Sequence, residues 1–276
     1  MNDQGSHPRR DNCIGLGVVA VALGVLLGAM PVHGQSQAST SSSNKPAERT
    51  ITPGTIVPAV LHTPLSLHKC KPGQEVSGTV AQDVPMANGV KIRKGTEIKG
   101  HIVEVTANAS GTGQRVAMQF DKMHWNGQWI PIVTDLRAFA SSVDVMEAHV
   151  PDEAPNEGSP YEWLPTTQVG GDSVYGQRGQ VMSADEPSQV VGKSVPGGVL
   201  VQASAKKGTK CRGDVDGNNG PQALWVFSSG ACGVYGVDGL SIVHAGRTNP
   251  IGTIILESNA DNVKLRDGDG MLLRIH

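Results

Sequence analysis

The cysteines are the residues whose type and spacing most directly predict chemistry. The chain contains four of them, and Cys211 and Cys232 lie near each other between two strand-like segments. A disulfide between them would close a loop of about 22 residues and stabilise the fold by roughly 3 kcal/mol. We therefore predict a Cys211–Cys232 disulfide, which forms in an oxidising compartment outside the cytoplasm.

Cys70 stays unpaired in this scheme. It lies between Lys69 and Lys71, whose positive charges would lower the pKa of its thiol. A reactive thiol also needs a base and a cleft, and the sequence places neither beside Cys70. We expect an exposed turn cysteine or a cysteine that forms an intermolecular disulfide.

The oxygen-rich segment between Cys211 and Cys232 resembles a calcium-binding loop in its spacing. Asp214, Asp216 and Asn218 alternate as calcium ligands do, but the positions that require glycine and glutamate hold Asn219 and Trp225. The pattern therefore favours a polar turn. The chain also lacks the Cys-x-x-Cys and His-x-x-x-His pairs of structural zinc sites, so we predict no metal and no cofactor.

Serine hydrolysis is the candidate enzymatic activity in this sequence. Ser173 follows Gly171 and Asp172, and His244 or His276 would supply the base. However, Ser173 lies in a segment without the strand and helix that flank a nucleophile, and no Gly-x-Ser-x-Gly motif occurs. We predict no catalytic residues and a protein that is not an enzyme.

The elements that must position these residues are predicted to be β-strands. With 35 glycines and 17 prolines, the chain is rich in turn residues. Val76, Val80 and Val84 lie on one face of a period-two pattern, which is typical of strands with one buried side. Asn88-Gly89 and Asn126-Gly127 predict two hairpins, because both residues tolerate the positive φ of a type I′ turn. The fold class is all-β, barrel-like or sandwich-like.

The N-terminal region predicts export. Arg9 and Arg10 precede an apolar run over residues 14–30, and the small residue Gly34 suits cleavage by a signal peptidase. The expected signal peptide is 1–34; the alternative is an uncleaved membrane anchor. Residues 35–50 are polar and read as a flexible linker.

The remainder divides into three predicted regions. Residues 51–140 form a β-barrel module, 141–198 form a long and partly disordered loop with a short helix near 186–192, and 199–276 form a C-terminal β module with the disulfide. The strands expected in the last region cover 199–205, 223–228, 240–244, 251–257, 263–266 and 271–275. The long loop carries three aromatic residues that we regard as candidate interaction residues, Tyr161, Trp163 and Tyr175.

Residues 51–139 resemble the C-terminal β-barrel domain of TrbI-like subunits of conjugative and type IV secretion channels. The matching stretches are Pro53-Gly54-Thr55-Ile56, Pro72-Gly73, Ile92-Arg93-Lys94-Gly95-Thr96, Gly113-Gln114-Arg115-Val116 and Trp129-Ile130-Pro131-Ile132. The resemblance implies a β-barrel fold for this third of the chain and a relation to secretion channel subunits.

Composition and charge narrow the function. The formal net charge is -2, Lys and Arg form no run in the mature region, and aromatic content is 4%, which argues against a nucleic-acid partner. We expect a non-catalytic protein of the periplasm, outer envelope or medium that acts by protein interaction or scaffolding, with an envelope protein as partner. Membrane contact would occur only through an uncleaved signal segment. The alternatives are an extracellular adhesion module and a periplasmic hydrolase.

Overall fold

The computed structural model describes residues 51–86, 89–148, 165–176, 179–204, 211, 220–260 and 262–276. The described residues form one compact unit. The predicted signal peptide, its cleavage site and the linker lie outside the described residues. Over the described ranges, no helix has the length and apolar character needed to cross a membrane.

The fold is nearly all β, as predicted. The strands are β1 Ile56–Leu61, β2 Leu65–Ser66, β3 Glu75–Val80, β4 Val84–Pro85, β5 Lys91–Ile92, β6 Glu97–Ala107, β7 Gln114–Trp125, β8 Gln128–Pro131, β9 Thr134–Ala140, β10 Thr166–Thr167, β11 Ser173–Val174, β12 Gln180–Met182, β13 Val190–Val195, β14 Gly198–Val201, β15 Gln222–Ala223, β16 Gly233–Tyr235, β17 Leu240–His244, β18 Ile254–Ser258, β19 Lys264–Leu265 and β20 Gly270–Ile275. A 3-10 turn spans Leu67–Lys69, and a short helix, α1, spans Ser142–Glu147.

The largest sheet curves into a nearly closed barrel. Its strand order is β16-β9-β20-β1-β3-β6-β7-β18-β17, with β8 paired to β7. The end strands β16 and β17 lie beside each other without a ladder between them, and we call this gap the seam. The second sheet is an antiparallel meander of β10 to β15. Two small ladders join β19 to β2 and β4 to β5.

The two predicted β regions, which the sequence left open as one body or two, are joined by strand pairing. The last strand, β20, lies between β1 and β9, and β18 pairs with β7, so residues 51–140 and 199–276 build one barrel. A strand in the middle of a sheet satisfies its backbone polar groups on both edges, so β20 is held between β1 and β9.

The segment predicted as a long loop also contains strands in its described part. β10 to β13 fall within residues 141–198, and the helix expected at 186–192 is replaced by a turn and the start of β13. Adjacent β-branched residues Val190 and Val191 favour this extended conformation. The strands β10, β11 and β12 have only two or three residues, too few for a period-two pattern to be recognised.

Strands β1, β9 and β20 form a wall that is buried on both faces. Val57 and Leu273 belong to the apolar core inside the barrel, whereas their neighbours Ile56 and Leu272 belong to a second core beneath the meander. Every residue of β9 is buried. Because successive side chains of a strand point to opposite sides, these three strands separate two cores and contribute to both.

Gln82 joins the barrel to the meander by hydrogen bonds. The side chain is buried and its Nε2 donates to the Val199 carbonyl at 2.7 Å. Its Oε1 accepts from the backbone nitrogens of Trp225 at 2.7 Å and of Val199 at 3.2 Å. A Cβ on Gly198 would lie 2.2 Å from that oxygen, so the contact requires glycine at position 198.

The hairpin predicted at Asn126-Gly127 is confirmed. Asn126 has φ 51° and Gly127 has φ 79°, and Trp125 pairs with Gln128 across the turn. The other predicted hairpin appears as the β4–β5 ladder, although Asn88 itself lies outside the described residues. The predicted strand 240–244 coincides with β17.

Replacing Gln82 with methionine should lower the free energy of unfolding by about 3 kcal/mol, since it leaves buried polar groups of Val199 and Trp225 without a partner. Urea denaturation of the purified protein measures this change. The matched control is Gln180→Met at an exposed position of β12, where we expect less than about 0.5 kcal/mol. Equal stability of the two variants would contradict the assigned role of Gln82.

Candidate functional site

The residues considered for serine hydrolysis have separate structural partners. Both carboxylate oxygens of Asp172 accept backbone hydrogen bonds, from Ala184 at 2.9 Å and from Ser229 at 2.7 Å. Ser173 belongs to β11, where it pairs with Thr167 and Met182. Asp172 therefore anchors the meander to the segment that follows β15.

The two candidate histidines are held elsewhere. His244 Nδ1 lies 2.7 Å from the Thr253 carbonyl oxygen and 3.2 Å from the backbone nitrogen of Gly246. His276 Nε2 lies 3.0 Å from Asp135. Hydrogen bonds among the described residues thus connect neither histidine to Ser173.

The predicted Cys211–Cys232 disulfide is confirmed. The two Cα atoms are 5.9 Å apart, within the range of ordinary disulfides. Cys232 directly precedes β16, so the bond fixes one border of the seam. A disulfide is compatible with an oxidising compartment outside the cytoplasm.

Cys70 differs from the expectation of an exposed or intermolecularly bonded cysteine. It is free and buried, and its thiol donates to the Ser66 carbonyl oxygen at 3.4 Å. Burial raises the pKa of the Cys70 thiol, and this effect opposes the influence expected from Lys69 and Lys71. Cys70 is therefore part of the barrel core and not a nucleophile poised at the surface.

The barrel opens along the seam into a cavity of about 660 Å³. Leu136 N donates to Ala245 O at 2.9 Å and closes one end of the barrel, while β16 pairs with β9 farther along at Gly233 and Ala138. The strands diverge between these two points. The cavity is lined by Leu136, Arg137, Cys211, Cys232, Gly233, Val234, Leu240, Ser241, Ile242, Val243, His244, Ala245, Arg247 and Thr248.

The charged groups beside this cavity hold the fold together. The buried Arg137 donates to the carbonyl oxygens of Ala231 at 2.9 Å and Ser229 at 3.0 Å, and it also contacts Ser204 O. On the same strand, the fully buried Asp135 accepts a hydrogen bond from Arg274 Nε at 2.8 Å. These contacts clamp the segment before β16 onto the barrel wall, so we assign them to structure.

A second group of chemically active side chains lies on the outer face of β6, β7 and β8. The two-residue turn fixes the register and places Trp129 opposite His124. Trp129 is 43% exposed, and its ring centroid lies 5.1 Å from that of His124. A large aromatic side chain is thus displayed on a rigid hairpin.

The ammonium groups of two lysines lie close to the ring of Trp129. Lys99 and Lys122 stand directly opposite each other on β6 and β7, and their Nζ atoms lie 5.4 and 5.8 Å from the indole centroid. Like charges directly opposite on a sheet destabilise it, whereas the π face of tryptophan attracts ammonium groups. Trp129 therefore offsets a repulsion that the sheet would otherwise carry.

A β-bulge creates this arrangement. The pairing of β6 with β7 passes from Lys99–Lys122 to Gly100–Phe120 and skips Asp121, so Asp121 and Lys122 both avoid the core. Asp121 then accepts from His101 Nδ1 at 2.8 Å. Bulges commonly re-aim side chains at functional positions.

We define the Trp129 surface as Trp129 with Lys99, Lys122 and His124, bordered by the His101–Asp121 pair. Lys99 also forms an ion pair with Glu75 at 3.3 Å. In the sequence, Trp129 stands out only as part of the Trp129-Ile130-Pro131-Ile132 stretch of the family resemblance. The Asn126-Gly127 turn was the signal that could have found it, because a two-residue loop dictates the opposition of Trp129 and His124.

The other candidate interaction residues are only partly described. Tyr175 follows β11 and is 47% exposed, in agreement with a surface position. Tyr161 and Trp163 lie outside the described residues, as do Asp214, Asp216 and Asn218. Across the described ranges, no three His, Cys, Asp or Glu side chains come together as a metal-binding group.

No family model, no curated protein and no solved structure matches this chain. The resemblance of residues 51–139 to TrbI-like channel subunits therefore stays a prediction.

Removing the disulfide with Cys211→Ala and Cys232→Ala should lower the free energy of unfolding by about 3 kcal/mol, because the unfolded chain regains the entropy of an open loop. Urea denaturation with and without a reducing agent measures it. Reduction should shift the unaltered protein toward the double variant and leave the double variant where it is. A curve of the unaltered protein that does not respond to reduction would contradict the assignment.

Proposed function

We propose that this chain is an exported, non-catalytic protein that acts by binding another protein of the cell envelope or its surroundings. The observation that carries the proposal is the Trp129 surface, where an exposed tryptophan is held on a hairpin between two lysines. Tryptophan is enriched among the residues that dominate protein interfaces, since it buries a large area with little loss of side-chain entropy.

The rigidity of the surrounding sheet supports this proposal. Trp125, the residue before the turn, is buried in the barrel core, and its Nε1 donates to Lys91 O at 3.3 Å. The neighbouring positions of β7 alternate between the core and the surface. The hairpin is therefore anchored by one tryptophan and displays the other, an arrangement that limits the ordering cost of binding.

Export is proposed on the disulfide together with the N-terminal signal pattern. The disulfide supports an oxidising compartment, and Arg9, Arg10 and the apolar run support translocation. A relation to type IV secretion channels is proposed on the resemblance of residues 51–139 alone.

A photo-crosslinking amino acid at position 128 tests the function. Gln128 is exposed on β8 beside Trp129, and the matched control is the same amino acid at Val190, which is exposed on β13 of the meander. After irradiation of cells that make this protein naturally, position 128 should give a discrete adduct with one protein and position 190 should not.

The partner identified from this adduct should then bind the purified protein. Trp129→Ala should weaken that binding by about thirtyfold, the scale of an interface hot spot. The variant should stay folded, with only a small fall in melting temperature from the Lys99–Lys122 repulsion that the indole ring no longer offsets. Adducts of equal yield at both positions, or binding that is unchanged by Trp129→Ala, would contradict the proposal.

A further inference from the structure

We propose that the Trp129 surface receives an acidic, extended segment of its protein partner, which pairs with the free edge of β8 as an added strand. This inference rests on the proposed function and specifies the chemistry of the partner. It follows from three features of the surface, namely the backbone edge of β8, the opposed lysines and the position of the indole ring.

The backbone of β8 has polar groups directed away from β7. The residue pairs alternate between hydrogen-bonded and non-hydrogen-bonded pairs, and Ile132 N donates to Asp121 O at 2.9 Å. Asp121 and Ile132 are therefore a hydrogen-bonded pair. Trp129 lies three positions before Ile132, an odd number, so Trp129 and His124 are a non-hydrogen-bonded pair. The N–H and C=O of Trp129 therefore point outward, together with the C=O of Pro131.

These groups meet no partner in the part of the chain that the structure describes. β8 pairs with β7 alone in that part, and the side chains of Gln128 and Trp129 are exposed. An unpaired edge accepts an extended segment through main-chain hydrogen bonds. The presence of Pro131 limits this edge to a short segment, because proline cannot donate.

The opposed lysines select acidic side chains on that segment. Lys99 has an ion pair with Glu75 at 3.3 Å, whereas no carboxylate lies within ion-pair distance of Lys122 among the described residues. A carboxylate placed beside Lys122 would relieve the repulsion between the two ammonium groups. Unlike the ring of Trp129, it carries a full negative charge, so that Lys122 would have a carboxylate partner as Lys99 has Glu75.

The geometry brings such a carboxylate within reach. Side chains of an added strand that share the face of Trp129 would stand about 10 Å from the backbone of Lys122, two strand spacings away. An extended lysine and a glutamate together span that distance. The indole ring lies between them and would cover the apolar parts of both side chains.

Short peptides added to the full-length mature protein test this inference. Three blocked eight-residue peptides have Val or Thr at every second position. The positions between hold Glu in the first peptide, Gln in the second and Lys in the third, and a fourth peptide is the Glu peptide N-methylated at alternate residues. Titration calorimetry should show the Glu peptide binding up to about fivefold more tightly than the Gln peptide. The Lys peptide and the N-methylated peptide should show no binding.

Hydrogen exchange and charge reversal locate the peptide. The Trp129 amide should gain protection when the Glu peptide binds, because the added strand takes its N–H. Combined Lys99→Glu and Lys122→Glu substitutions should abolish the preference for Glu and create a preference for the Lys peptide. The matched control reverses Lys193 and Lys264, which are exposed on β13 and β19, and should bind as the unaltered protein does.

Several results would overturn the inference. Equal binding of the Glu and N-methylated peptides would mean that strand pairing contributes nothing, and equal binding of the Glu and Gln peptides would mean the same for charge. Absence of peptide binding, or binding of a hexuronate oligosaccharide or single-stranded DNA in its place that is lost in Trp129→Ala, would also overturn it. If peptides fail while the crosslinked partner still depends on Trp129, only this inference falls and the proposed function stands.

Discussion

The structure depends on a wall of three strands that must be apolar on both faces. β1, β20 and β9 close the barrel on one side and support the meander on the other, so Ile56 and Val57, adjacent in sequence, serve different cores. A strand of this kind cannot slip by one residue without exchanging its two faces. The charged residues Asp135 and Arg137 of β9 are tolerated because Arg274 pairs with Asp135 and backbone carbonyl oxygens accept from Arg137.

The same wall explains how much of the fold could be predicted. The turn at Asn126-Gly127 and the Cys211–Cys232 bond follow from local chemistry, and both are found. The placement of β20 between β1 and β9 is a long-range choice that no local pattern encodes. Strands β10 to β13 of the meander escaped prediction. The first three are too short for periodicity, and β13 contains Gly192 and is followed by Pro196, two residues that suggest a loop.

The candidate site was hidden from the sequence for a related reason. A strict period of two does not predict that Lys99 and Lys122 oppose each other. Their pairing depends on the β-bulge that leaves Asp121 without a partner on β6. Once the bulge is in place, the hairpin beyond it carries Trp129 outward on a framework whose other side is core. The barrel thus fixes the position of a few surface side chains.

Barrel and meander should unfold together, because they share β1, β9 and β20. The direct measurement is a urea titration of the 5-fluorotryptophan-labelled protein followed by fluorine NMR, with signals assigned by single Trp→Phe substitutions. Trp125 reports on the barrel core and Trp225 on the meander core. Their native signals should disappear at the same urea concentration. Loss of the Trp225 signal while Trp125 keeps its native signal would contradict the shared wall.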